Sequence, residues 1–126
     1  GYAIHFASSK VSLYNPSKKI KLSLVPEDYY SGKSIIKIIN THKSSKKIIN
    51  NIAESLGSLI GNLINTVDPG SIVLGGGVVV HNVNFKKTLI KHIRNFIFAE
   101  EVKKIRIKST KLKADTGLLG SAAIHK

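Results

Sequence analysis

Apolar residues recur in steps of three and four between positions 44 and 67, at Ile49, Ile52, Leu56, Leu59, Ile60, Leu63, Ile64 and Val67. On a helix of 3.6 residues per turn this spacing makes one broad buried stripe. Ala53, Gly57 and Gly61 stand four apart and form a second ridge of small residues. An interior glycine costs a helix about 1 kcal/mol relative to alanine, so two of them predict close approach of another backbone. Asp68-Pro69-Gly70 ends the helix and turns the chain. Ser71–Leu74 is then a short apolar run without alternation, the pattern of a strand covered on both faces in a parallel sheet. Gly75, Gly76 and Gly77 follow at its carboxyl end.

After a linker over 80–82, Asn84 can cap a helix running from 85 to about 98, with Phe85, Leu89, Ile90, Ile93 and Ile97 as its stripe. Residues 102–109 alternate, Ile105 and Ile107 against Lys104, Arg106 and Lys108, which predicts a half-exposed edge strand. The beginning of the chain is less regular. Ile4, Ala7, Val11 and Tyr14 fall at helical spacing and predict a short helix over 2–14, closed by Asn15-Pro16-Ser17. Positions 18–25 read as a basic connector in which Ile20, Leu22 and Leu24 alternate. Pro26-Glu27-Asp28 suits a helix start, with helix to about 40 and Ile35, Ile36 and Ile39 on one side. The last segment, 115–125, reads as a helix of small residues. Helix–strand–helix–strand order makes the chain α/β.

Composition narrows the classes. The 126 residues fit one domain or one lobe of a larger protein. Without cysteine there is neither a disulfide framework nor a thiolate zinc site. Methionine is also absent, so Gly1 is not expected to be a native start. The net charge of +13 suggests a polyanionic partner, but Arg94 and Arg106 are the only arginines. Arginine is the usual choice for bidentate phosphate and guanine contacts. The lysines are spread along the whole chain, so a solvated surface is expected rather than a nucleic-acid face. The longest apolar runs, such as 71–80, are too short to span a bilayer. Residues 1–6 lack the basic start and apolar stretch of a signal peptide, and a cytoplasmic location is expected.

The triple glycine carries the sharpest candidate chemistry. In open α/β sheets ligands lie beyond the carboxyl ends of strands. Glycine lets backbone amides approach a phosphate or ribose with no side chain in the way. The plainer alternative is a strand-to-helix turn that needs positive φ, since the loop is not G-x-G-x-x-G. Ser31-Gly32-Lys33-Ser34 imitates the end of a P-loop, but the required first glycine would fall on Glu27. His5, His42, His81, His92 and His125 show no paired metal spacing. Asp68 and Asp115 suit turns or caps, and no residue stands out as a general base.

The run Leu56-Gly57-Ser58-Leu59-Ile60-Gly61-Asn62-Leu63-Ile64-Asn65, followed by Asp68-Pro69 and Ile72-Val73-Leu74-Gly75-Gly76-Gly77, closely resembles the carboxyl-terminal part of ROK proteins. These are bacterial sugar kinases and sugar-responsive repressors with an actin-like ATPase fold. Ala114-Asp115-Thr116-Gly117-Leu118-Leu119-Gly120-Ser121-Ala122-Ala123 is similar to their terminal helix. The two motifs lie in the family's order and spacing, and the resemblance covers most of 28–124.

The resemblance implies an actin-like (ribonuclease H-like) lobe, helix-rich with a short parallel sheet, residues 1–126 forming one carboxyl-terminal lobe. It sets Gly75, Gly76 and Gly77 beside the adenosine of a bound nucleotide. In the intact protein ATP and Mg²⁺ would phosphorylate a hexose. The family's amino-terminal lobe, with its D-x-G-x-T loop and catalytic aspartate, is expected to precede this chain, which holds neither element and should be inactive by itself. With residues 4–9 laid on the family's helix that follows its sugar-contacting glutamate, that glutamate falls on Ile4 and the last zinc cysteine near Tyr2: either this alignment is off or the standard sugar site is lost, and no zinc site is expected in this chain. The partners implied are an adenine nucleotide, the missing lobe and a second copy in a homodimer, with neither nucleic acid nor membrane. The alternative is a sensor or dimerisation lobe of a ROK-type repressor, or a degenerate non-catalytic homologue.

Overall fold

A computed structural model of the chain describes residues 10–25, 32–41, 45–75, 77–109 and 123–125. Their order is β1 (Val11–Asn15), β2 (Ile20–Leu24), α1 (Gly32–Thr41), α2 (Lys46–Val67), β3 (Ser71–Leu74), α3 (Gly77–His81), α4 (Val83–Asn95), a 3-10 turn (Val102–Lys104), β4 (Arg106–Ser109) and β5 (Ala123–His125).

Helix α2 organises the molecule. Ser45 caps its start, the side chain accepting the Ile48 N–H at 3.4 Å. At its end Asp68 takes the left-handed conformation (φ 51) and donates its N–H to the Ile64 carbonyl at 2.9 Å. Pro69 cannot extend the helix, so the chain leaves into β3. Leu56, Ile60 and Ile64 are buried together with Ala53, Gly57 and Gly61, so the apolar stripe and the small-residue ridge share the inward face. The ridge receives α4. A Cβ added to Gly57 would lie 2.5 Å from His92 Cβ, and one added to Gly61 would lie 2.7 Å from Phe96 Cβ and 2.9 Å from the Ile93 carbonyl oxygen. This is the backbone approach that the spacing of glycines predicts.

The sheet runs in the order β4-β3-β5. Strands β3 and β4 are parallel, with Ser71 opposite Arg106 and Leu74 opposite Ser109. Ile72 and Leu74 are fully buried, whereas Ser71 and Val73 are half-buried, so the two faces of β3 are covered unequally. Strand β5 joins the other edge antiparallel, Ile124 opposite Ile72. Arg94 of α4 donates from its guanidinium to the carbonyls of Lys103 and Ile105, the latter at 3.0 Å, and so fixes the approach to β4.

Several local expectations are corrected. Residues 11–15 form a strand, not the end of a helix. Val11 faces Leu24 and Leu13 faces Leu22 in an antiparallel hairpin, and this period of two prevails over the helical spacing of Val11 and Tyr14. Lys19, with φ 54, closes the turn, where the Lys18 N–H donates to Asn15 Oδ1 at 3.1 Å. Residues 77–81 are helical, so positions 80 and 81 of the expected linker belong to a helix, and Asn82, not Asn84, holds the N-cap position of α4. Residues 102–104 form a 3-10 turn in which the Ile105 N–H donates to the Val102 carbonyl at 2.9 Å, so the strand begins at Arg106. Residues 123–125 are a strand and not the close of a helix. The start of that expected helix, 115–122, lies outside the described residues, as do 2–9 of the expected first helix and the helix start expected at Pro26-Glu27-Asp28. Among the described residues no helix is long and apolar enough to cross a membrane.

Candidate functional site

Strand β3 delivers the chain to the carboxyl edge of the sheet, where the glycines stand. Gly75 is buried directly after Leu74, and Gly77 is the first residue of α3. Gly76 lies outside the described residues. The strand therefore becomes a helix within a few residues, a turn that leaves no room for a conventional loop. Val78 and Val79, 3% and 1% exposed, anchor α3 in the core and so fix the turn against it.

Helix α3 leads to a cavity of about 320 Å³. Ile39 of α1, Ile49 of α2 and Phe85 of α4 give it an apolar part, and His81, Asn82 and Asn84 a polar one, with Val83 between them. Asn82 holds the junction of α3 and α4: its Nδ2 donates to the Val78 carbonyl at 3.0 Å. Its own carbonyl accepts the Lys86 N–H at 2.9 Å and begins α4. The volume sits at the lower end of the roughly 300–1,000 Å³ of small-molecule pockets, and the mixed lining has the character of such a pocket. Gly75 and Gly77 are not part of that lining. The glycine turn and the cavity occupy the two ends of the five-residue α3, roughly 7 Å apart along its axis.

The remaining polar residues have structural places. His92 Nε2 and Asn50 Oδ1, 2.9 Å apart, join α4 to α2. His81 is exposed at the cavity and His125 belongs to β5, while His5 and His42 lie outside the described residues. Asp68 is the C-cap of α2, as its place in the sequence predicts, and Asp115 lies outside the described residues. Gly32, Lys33 and Ser34 of the P-loop imitation form the start of α1, and Ser31 lies outside the described residues.

Sequence reasoning missed α3 and with it the cavity. The signal was present in Val78, Val79 and Val80, which continue the apolar run of β3 past the glycines. It also missed Lys86, whose Nζ donates to Ser109 Oγ at 3.1 Å at the carboxyl edge of β4. Among the described residues no carboxylate lines the cavity. Asp68 is at the opposite, amino end of β3, and Glu100 and Glu101 lie beyond the far end of α4. The described lining residues thus offer no carboxylate to a magnesium ion.

The chain is a mixed α/β structure with a parallel strand pair and glycines at the carboxyl edge of its sheet. The model of the ROK family matches residues 5–126, and the chain belongs to that family. The observed elements agree with its actin-like fold. No curated protein matches the chain.

Proposed function

We propose that this chain is the adenine-nucleotide-binding carboxyl-terminal portion of a ROK-type sugar kinase, whose intact form transfers the γ-phosphoryl group of ATP to a hexose hydroxyl with Mg²⁺. The observation that carries the reading is the buried Gly75 at the carboxyl end of β3, joined through α3 to a cavity with apolar and amide lining. Glycine leaves the backbone open to a ribose or phosphate. The Ile39, Ile49 and Phe85 side chains supply a surface suited to a purine, and Asn84 an amide able to pair with its edge. The magnesium ion would be held by the phosphates and by residues other than those lining this cavity. Phosphoryl transfer depends on positioning and charge stabilisation, and the chain supplies the nucleoside end of that arrangement.

Adenosine titration followed by amide chemical shifts tests the reading at about 0.15 M salt, where lysine–phosphate attraction is largely screened beyond about 8 Å. Shifts should centre on Gly75, Gly77, His81 and Asn84. Weak binding is expected, because few groups offset the ligand's lost freedom. Response confined to lysine-rich segments, and to ATP but not adenosine, would overturn the reading. A coupled ADP-release assay with glucose should stay at background for the chain alone.

A further inference from the structure

Of the lysines among the described residues, all but Lys86 and Lys103 are exposed. Lys103 pairs with Glu100 at 2.7 Å. Lys86 is held differently: its ammonium donates to a neutral hydroxyl, Ser109 Oγ, at 3.1 Å, and no ion pair among the described residues includes it. The register of the sheet fixes where this happens. Ser109 stands opposite Leu74, the residue before Gly75. The exposed ammonium of a lysine with a half-buried stem therefore sits at the carboxyl edge of the parallel pair, beside the glycine turn. A hydroxyl uses one of the three ammonium donors and neutralises none of its charge, so two donors remain for an anion.

We propose that Lys86 is the anion-contacting group of this edge, donating to the phosphate oxygens of a di- or triphosphate whose nucleoside lies toward the glycine turn and cavity. Ser109 holds the side chain in place before the anion arrives. Asp68, at the amino end of β3, and Glu100 and Glu101, past the carboxyl end of α4, are on the far sides of these elements. For the nucleoside half the proposal rests on the function proposed above. For the anion half it stands on the Lys86–Ser109–Leu74 geometry.

The experiment compares adenosine, ADP and inorganic pyrophosphate on the full chain, reading the amides of Gly75, Gly77 and Ser109. The variants are Lys86→Met and, as a control on the same helix, the exposed Lys87→Met. Methionine keeps the half-buried stem of Lys86 and removes its charge. Lys86→Met should weaken ADP about tenfold, abolish the pyrophosphate response and leave adenosine within about twofold. Lys87→Met should leave all three close to the parent. Equal losses in the two variants would make the effect diffuse charge and overturn the proposal, as would unchanged ADP and pyrophosphate binding in Lys86→Met. If adenosine fails to bind while pyrophosphate still responds through Lys86, the nucleotide reading falls and the anion site stands.

Discussion

Helices α2 and α4 meet at backbone distance, while the β1–β2 hairpin lies over the other side of α2 across a loose apolar cleft. In the first contact Gly57 and Gly61 leave no room for a Cβ, and Leu89 and Ile93 of α4 are fully buried. In the second, Val11, Leu13, Leu22 and Leu24 face Ser55, Ser58 and Leu59 around a cavity of about 190 Å³. Leu13 remains 62% exposed and Leu22 52%. Both regions are rich in isoleucine, leucine or valine, so apolar content does not separate them. Small residues in the facing surface do: they let α4 settle into α2, whereas the hairpin is two strands with little to pack against, an arrangement marginal in water. The rigid contact is also the one that serves the candidate site. It sets the start of α4, which carries Asn84 and Phe85 at the cavity and Lys86 at Ser109 of β4.

The comparison is broken most directly by Ile93→Ala, which removes a fully buried side chain at the centre of the α2–α4 contact. Loss of its methyl groups and the residual cavity should cost about 2–5 kcal/mol, read by denaturant unfolding. Next in size is Gly57→Ala. Alanine would favour an isolated helix by about 1 kcal/mol, but its methyl would lie 2.5 Å from His92 Cβ and 2.9 Å from two backbone atoms of α4. The clash involves backbone that cannot swing aside, so a net loss of about 1–3 kcal/mol is expected. A gain in stability would show that α4 moves away freely and that the contact is not rigid.

The same contrast explains what was legible beforehand. Helix α2, its small-residue ridge and strand β3 were readable because periodicity and backbone geometry are local properties of Ala53, Gly57, Gly61 and Ser71–Leu74. The end of β3 at the glycines was legible for the same reason. The hairpin was not, because Val11 and Tyr14 suit a helix as well as Val11 and Leu13 suit a strand, and only pairing with Leu22 and Leu24 decides. Residues 123–125 were misread likewise: their place is fixed by Ser71, Ile72 and Val73, some fifty positions away. The cavity and Lys86 require three separated segments to converge, and no spacing along the chain announces that.

Asn65 tests how firmly the loop after α4 is tied to α2. Its Nδ2 donates to the Phe96 carbonyl at 2.9 Å, and its Oδ1 accepts the Phe98 N–H at 2.9 Å. Asn65→Ala removes both bonds, but the site is exposed and water can replace them. A loss of about 1 kcal/mol is expected, with faster amide exchange at Phe98 and none of the global loosening expected of Ile93→Ala.

The smallest effect belongs to the hairpin and sharpens the contrast from its other side. Leu22 stands opposite Leu13, yet both keep more than half of their surface in water. Leu22→Ser therefore gives up little burial and leaves no closed cavity, since the cleft below is already open. The global unfolding free energy should change by less than about 0.5 kcal/mol. Local exchange should report what the global measurement does not. The amides of Val11–Asn15 and Ile20–Leu24 should exchange faster in the variant, while those of α2 and α4 stay protected, because the two regions open independently. A drop in global stability comparable to that of Gly57→Ala would mean that the hairpin and the helical core unfold as one cooperative unit, and that the cleft above α2 is tighter than its exposed leucines indicate.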